Sequence, residues 1–196
     1  MRRTIICIGW IAVAITAIFL RVHNLGDNPV HFDEATGACI LGQALSGENT
    51  IFDPKHFHGP WLRESTIPIA RLRGENDWYS LSVETLRLSP ALAGCLLCLT
   101  PLLWNGILRP RSALAAGALL ATSPLAVFYS RIYIHESWLA LFGMLSCAAI
   151  YRFLKSPSLG NSLFAGISIG LMFATTESCG VYIISWAIGG FFLLLF

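Results

Sequence analysis

Residues 4–20 read TIICIGWIAVAITAIFL, an apolar run that no charged residue interrupts. It follows two arginines and is followed by the polar residues Arg21-Val22-His23-Asn24. A cleaved signal peptide has an apolar core of roughly 7–15 residues and then a small-residue cleavage site. This run is longer and is followed by bulkier residues. It therefore predicts an uncleaved membrane-spanning helix over residues 4–22.

The rest of the chain shows the same apolar character in blocks. Of its 196 residues, 55% are hydrophobic and 12% are charged, and the mean hydropathy is +0.65; an ordinary soluble domain has about 25% charged residues. No basic stripe with interleaved aromatic residues is present, so the sequence does not predict a nucleic-acid partner. After a polar stretch come five more apolar runs, which are Leu86–Leu108, Ala113–Phe128, Trp138–Leu154, Leu163–Thr175 and Val181–Phe196.

These runs predict an all-α polytopic membrane protein with about six transmembrane helices in one module, 1–196. Residues 23–84 form a long outer loop that carries a short amphipathic helix, and residues 85–196 hold five further spans. The short loops fix the orientation, because cytoplasmic loops are enriched in Lys and Arg. We expect a cytoplasmic N-terminus in the inner membrane, which places six basic residues inside: Arg2, Arg3, Arg109, Arg111, Arg152 and Lys155.

The long loop contains an adjacent acidic pair, Asp33-Glu34, at the start of a segment that reads FDEATGACILGQAL. Its apolar residues recur at helical spacing, and Ser46-Gly47 is a plausible stop, so we predict a helix over Phe32–Leu45. Asp33 has two compatible interpretations. It caps this helix, or it is the reactive group of a site at the membrane surface, in which case a cap also fixes the direction of its carboxylate.

Other polar residues give weaker signals. His56 and His58 point the same way if the chain is extended there, but two histidines alone are a weak metal signal. Cys95 and Cys98 lie among leucines and are expected to be buried small hydrophobic residues. The tryptophans and tyrosine at 61, 78 and 79 fit either interfacial anchors or sugar-stacking surfaces. Gly166-x-x-x-Gly170 predicts close helix packing.

Several motifs together resemble the N-terminal half of GT-C-type membrane glycosyltransferases. These enzymes include the protein O-mannosyltransferases, the aminoarabinose transferases of lipid A, and an archaeal and bacterial branch. The resemblance covers essentially the whole chain. The motifs, in chain order, are HFDEA at 31–35, HGP at 58–60, ETLRLSPALAG at 84–94, FYSRIYIHE at 128–136 and FATTES at 173–178.

The resemblance implies an inverting hexosyl or pentosyl transfer at the outer membrane face. The donor is a polyprenyl-phosphate-linked sugar, and the acceptor is a lipid, a glycan or a protein. Asp33 is then the general base and Glu34 its catalytic partner. Glu136 helps to bind a divalent cation (Mg, Mn or Zn) or the phosphate end of the donor. The substrate-binding residues are His58, Arg131 and His135, with phospholipid contact as the alternative for Arg131.

Two other functions stay open at this stage. The chain stops inside an apolar run, whereas these enzymes continue with further spans, so we expect it to be incomplete at the C-terminus. A truncated or non-catalytic membrane protein of the same fold is therefore the main alternative. A small transporter fits less well, because proton-coupled transport usually needs ionisable groups at membrane depth and the apolar runs contain none away from their ends.

Overall fold

The computed structural model describes residues 2–48, 58–104 and 106–195. In these residues the protein is all-α and has no strands. His56 lies outside the described residues. The helices are α1 Arg2–Val22, α2 Phe32–Leu45, α3 Trp61–Leu72, α4 Val83–Leu97, α5 Pro110–Thr122, α6 Pro124–Ser130, α7 Glu136–Lys155, α8 Leu159–Phe173 and α9 Cys179–Leu195, with a 3₁₀ turn over Thr100–Trp104.

The number of full-length spans is smaller than six. Among the described residues, three helical segments are long and apolar enough to cross a membrane: Arg3–Val22, Val83–Trp104 and Glu136–Lys155. The bent pair α5–α6 makes a fourth if it counts as one span. Helices α8 and α9 are apolar but have 15 and 17 residues. At 1.5 Å per residue these lengths fall short of a hydrocarbon core of about 30 Å.

The predicted third span is broken in the middle. Helices α5 and α6 meet at an angle of 58°. Ser123 caps the second helix and Pro124 is its first residue, which cannot continue the hydrogen bonding of α5. The guanidinium of Arg21 fills the gap by donating to the carbonyl oxygens of Leu120 and Ala121 at 3.0 and 3.1 Å. Arg21 thus satisfies backbone acceptors that the break leaves free.

Helix α2 has the predicted bounds, but its cap differs from the expected one. Its N-cap is His31, whose Nδ1 accepts a hydrogen bond from the backbone N–H of Asp33. The Glu34 side chain accepts in return from the N–H of His31, which completes a capping box. The prediction of Asp33 as the cap is wrong, because Asp33 lies inside the first turn. The helix ends as expected, with Ser46 as C-cap and Gly47 at a φ of +73°.

The bundle packs through α1, α4, α5, α7 and α8. Helix α7 lies against both α4 and α8, and α1 lies against α4 and α5. The other side of α1 exposes isoleucines 5, 8, 11, 15 and 18, as a lipid-facing helix does. Helices α2 and α3 pack on α4 through a core of Ala38, Leu41, Leu62, Leu86 and Tyr133. The long loop is therefore docked on the bundle in its described parts.

Two sequence interpretations change once the packing is known. Trp61 is part of a core, with its ring 5.4 Å from that of Trp138 and 5.3 Å from that of Phe142, so it does not serve as a free interfacial anchor. A Cβ added at Gly166 or Gly170 would meet no atom within 4 Å among the described residues. The close packing predicted from these two glycines is not seen there.

Gly94 of α4 is one of the glycines on which close packing does depend. A Cβ at this position would lie 2.0 Å from Oγ of Ser130 and 2.8 Å from Nε of Arg21. We expect Gly94→Ala to lower the free energy of unfolding by about 1–3 kcal/mol, the usual effect of overpacking. Gly166→Ala is the matched control and should be neutral or stabilising by up to about 1 kcal/mol, because alanine favours the helix. Thermal unfolding in detergent measures both, and equal midpoints would contradict this packing.

Candidate functional site at the loop end of the bundle

The connections between helices meet at one end of the bundle, which we call the loop end. It comprises residues 23–34, 58–60, 131–136 and 174–178. Side chains and backbone groups of these segments contact one another directly, as the hydrogen bonds below show. The structure thus brings together segments that are up to about 150 residues apart in sequence.

Glu34 and Arg87 form a buried ion pair at the base of this region. Nε and one terminal nitrogen of Arg87 donate to the two carboxylate oxygens of Glu34 at 2.7 and 2.8 Å. Both side chains are 1% exposed. The remaining guanidinium hydrogens are donated to the carbonyl oxygens of Leu25, Asn28 and Pro29. One arginine of α4 therefore fixes both the start of α2 and the chain that leads to it.

The carboxylate of Glu34 is fully occupied. Besides Arg87, the backbone N–H groups of His31 and Tyr133 donate to it at 2.9 and 2.8 Å. Burial alone raises the pKa of Glu34, but the hydrogen bonds and the charge of Arg87 bring it below its ordinary value. With four donors on two oxygens and no exposed surface, Glu34 has no free position for a substrate. We infer that it positions the site and does not react, in contrast to the catalytic role expected from the sequence.

Asp33 has the opposite environment. Its side chain is 65% exposed, and among the described residues it is paired with His31, whose Nδ1 lies 3.5 Å from Oδ2. It lies in the first turn of α2, where the helix dipole favours a negative charge. Because the ion pair with Arg87 holds the adjacent Glu34 in place, the backbone of Asp33 has a fixed position on the bundle. The acidic pair is thus one anchored residue and one exposed carboxylate.

A second polar cluster contains His58, His135 and Glu177. Nδ1 of His58 lies 2.9 Å from both carboxylate oxygens of Glu177. The hydrogen bond from His58 is the main reason that the pKa of Glu177 is lowered to about 2. An ionised carboxylate only accepts, so His58 carries its proton on Nδ1 and leaves Nε2 for another partner.

His135 packs edge-on against His58, with 5.0 Å between the ring centroids. Burial, together with the charge of His58, lowers the pKa of His135 to about 4. At neutral pH its imidazole is therefore uncharged and contacts a ligand by hydrogen bonding only. The structure brings His58 and His135 together, as a shared substrate-binding role requires.

Arg131 is engaged with the protein itself. Its guanidinium donates to the carbonyl oxygens of Leu20, His23 and Asn24 at 2.8–3.0 Å. Asn24 has a φ of +52°, so Arg131 covers the end of α1 where the chain leaves the helix. This arrangement fits a structural role better than contact with a substrate or a phospholipid.

Glu136 is the first residue of α7 and is exposed. Throughout the described ranges, no group of three or more His, Cys, Asp or Glu residues is arranged to hold a metal ion. The divalent cation expected at Glu136 therefore stays a prediction, and we derive no step through one. The role of Glu136 toward the phosphate of a donor stays a prediction.

Two residues that build this end are not among the predicted site residues. Arg87 lies one turn inside α4, at the start of an apolar run, and a cation in that position signals a buried acidic partner. Glu177 lies in the polar turn before the last run, and nothing local marks it as the partner of a histidine 119 residues earlier. The partner of each is set by tertiary packing.

The structure is an all-α apolar bundle with polar loops gathered at one end, and comparison with known proteins identifies it as a membrane glycosyltransferase. The family model for dolichyl-phosphate-mannose-protein mannosyltransferases matches residues 72–196. The chain belongs to this family. The match begins at the last residue of α3, so it is less extensive than the resemblance seen in the sequence, and it leaves Asp33, Glu34 and His58 outside. No curated protein and no solved structure matches the chain.

Proposed function

We propose that this protein transfers a sugar from a polyprenyl-phosphate-linked donor to an acceptor hydroxyl, with Asp33 as the general base. The observation that carries the proposal is the contrast within the acidic pair. Glu34 is held by four hydrogen bonds, while the adjacent Asp33 is 65% exposed. A base must reach the hydroxyl proton at hydrogen-bond distance, and Asp33 is the member of the pair that can do so.

The proposed reaction is a single displacement. The acceptor oxygen forms a bond to C1 of the sugar as the bond from C1 to the phosphate oxygen breaks, which inverts the configuration at C1. Asp33 takes the proton of the acceptor hydroxyl. The electron pair of the broken bond leaves with the polyprenyl phosphate. The acceptor is a lipid, a glycan or a protein.

The leaving phosphate gains negative charge, and hydrogen-bond donors stabilise such a group. His58 and His135 are the candidates for this role, because they share one place at the loop end and Glu177 fixes the ring of His58. Glu136 stays a candidate at the phosphate only through a bound cation, because an ionised carboxylate donates no hydrogen bond. Arg131 is left out, since its guanidinium is bonded to the end of α1.

We further propose that the loop end faces outward and the N-terminus lies in the cytoplasm. The distribution of basic residues in the short loops supports this orientation. The contacts at the loop end support it, since the described segments 23–34, 58–60, 131–136 and 174–178 lie together at one end of the bundle.

Donor dependence tests the proposal. Membranes with and without the protein are given either labelled polyprenyl-phosphate mannose or the corresponding nucleotide sugar. We expect labelled product only from the lipid-linked donor and only in membranes that contain the protein. Equal product in both membranes would favour the alternative of a non-catalytic protein of the same fold. Transfer from the nucleotide sugar alone would contradict the proposed donor.

A further inference from the structure

His31 connects the cap of α2 to the exposed carboxylate of Asp33. Its Nδ1 accepts the backbone N–H of Asp33 at 3.3 Å and lies 3.5 Å from Oδ2 of the same residue. A ring nitrogen that accepts a hydrogen bond must hold a lone pair. Neutral His31 therefore carries its proton on Nε2, which is the opposite tautomer to that of His58.

We propose that His31 is a positioning residue for Asp33, and that it keeps this carboxylate available only while its imidazole is neutral. This inference rests on the proposed function, because it concerns the residue assigned there as the base. The inference adds to the proposed function a role for His31, a histidine that is neither the base nor a ligand of the donor.

Protonation of Nδ1 reverses both contacts. A protonated Nδ1 is a donor, so it cannot accept the N–H of Asp33, and the cap is lost. The same proton lies within reach of Oδ2 of Asp33, and an imidazolium attracts that carboxylate. An Asp33 oxygen that accepts from His31 is less free to take a proton from an acceptor hydroxyl.

The other charged groups around His31 do not take its place. The backbone N–H of His31 is bonded to Glu34, and Glu34 is neutralised by Arg87. Both members of that pair are buried, whereas the side chain of His31 is 60% exposed. Among the described residues, Asp33 is therefore the charged partner of the ring, and protons reach the 60% exposed His31 directly from the solvent.

Matched variants separate this role from general stability. Asparagine caps helices well but does not titrate, so His31→Asn keeps the cap and removes the proton dependence. His31→Ala removes both the cap and the proton dependence. His23→Asn is the control, since it replaces an exposed histidine that stacks on Phe19. For each variant, kcat/KM for transfer from polyprenyl-phosphate mannose is measured at pH 7.5 and 5.5.

In the parent and in His23→Asn we expect kcat/KM to fall about tenfold between these pH values, because histidine is the side chain that gains a proton in this range and a protonated His31 attracts the Asp33 carboxylate. In His31→Asn the fall should be about twofold at most, since asparagine does not take up a proton. His31→Ala should be impaired at both values. The same tenfold fall in His31→Asn, or no fall in the parent, would overturn the inference.

A second measurement does not depend on transfer. The second measurement is an NMR spectrum of protein in which the histidines are labelled with ¹⁵N. The ring signals of His31 are identified as those that are missing from the spectrum of His31→Asn. We expect the neutral ring at pH 8 to carry its proton on Nε2, and a proton on Nδ1 would overturn the inference. If the parent shows no transfer at any pH, the proposed function fails, and the tautomer then decides the assignment of His31 by itself.

Discussion

Arg87→Met is expected to destabilise the protein by about 3–5 kcal/mol, the range found when one partner of a buried ion pair is removed. The change leaves Glu34 charged and buried, and it also removes the donors to three carbonyl oxygens of the connection between α1 and α2. We expect a large drop in the midpoint of thermal unfolding in detergent, and a smaller amount of protein in membranes.

Arg73→Met is the matched control for this prediction. Arg73, with its side chain 40% exposed, pairs with the exposed Glu84 and with Glu75, which Ser82 also holds by two hydrogen bonds. Solvent-exposed pairs contribute about 0–1 kcal/mol. The double variant Glu34→Gln with Arg87→Met tests the pairing itself. Its loss of stability should be clearly smaller than the sum of the two single losses, because each single change leaves the other group unpaired. An Arg87→Met protein as stable as Arg73→Met would contradict the role of the pair.

The local parts of this structure could be predicted from the sequence. The bounds of α2 follow from its apolar spacing and from the stop at Ser46-Gly47, which are local signals. Its cap was missed because an aspartate is a better general candidate than a histidine, and only the structure shows that Nδ1 of His31 takes that place. The first span and α7 were also predictable, since each is one continuous apolar run.

What could not be predicted depends on contacts between distant segments. The run from Ala113 to Phe128 is apolar throughout, yet it bends because Ser123 and Pro124 start a new helix and Arg21 satisfies the carbonyl oxygens at the break. The catalytic role expected for Glu34 comes from the family resemblance, and nothing near it in sequence indicates that it is neutralised. Its partner Arg87 is 53 residues away and meets it only in the folded protein.

Asp33→Asn is expected to abolish transfer while the protein stays folded. The change keeps the size and shape of the side chain and removes the proton acceptor. Because His31 is the N-cap of α2, the first turn of the helix should stay folded in this variant. General-base catalysis contributes about 10²–10⁴ in rate, which is roughly 3–5 kcal/mol of barrier. Asp27→Asn, another exposed aspartate of the connection between α1 and α2, is the matched control.

The most direct test of the account is therefore the initial rate of sugar transfer from polyprenyl-phosphate mannose in membranes that contain equal amounts of parent, Asp33→Asn or Asp27→Asn protein. We predict that the rate of Asp27→Asn stays within about twofold of the parent and that the rate of Asp33→Asn falls by about 100-fold or more. A rate for Asp33→Asn within a few-fold of the parent, at equal membrane amounts, would show that Asp33 is not the base.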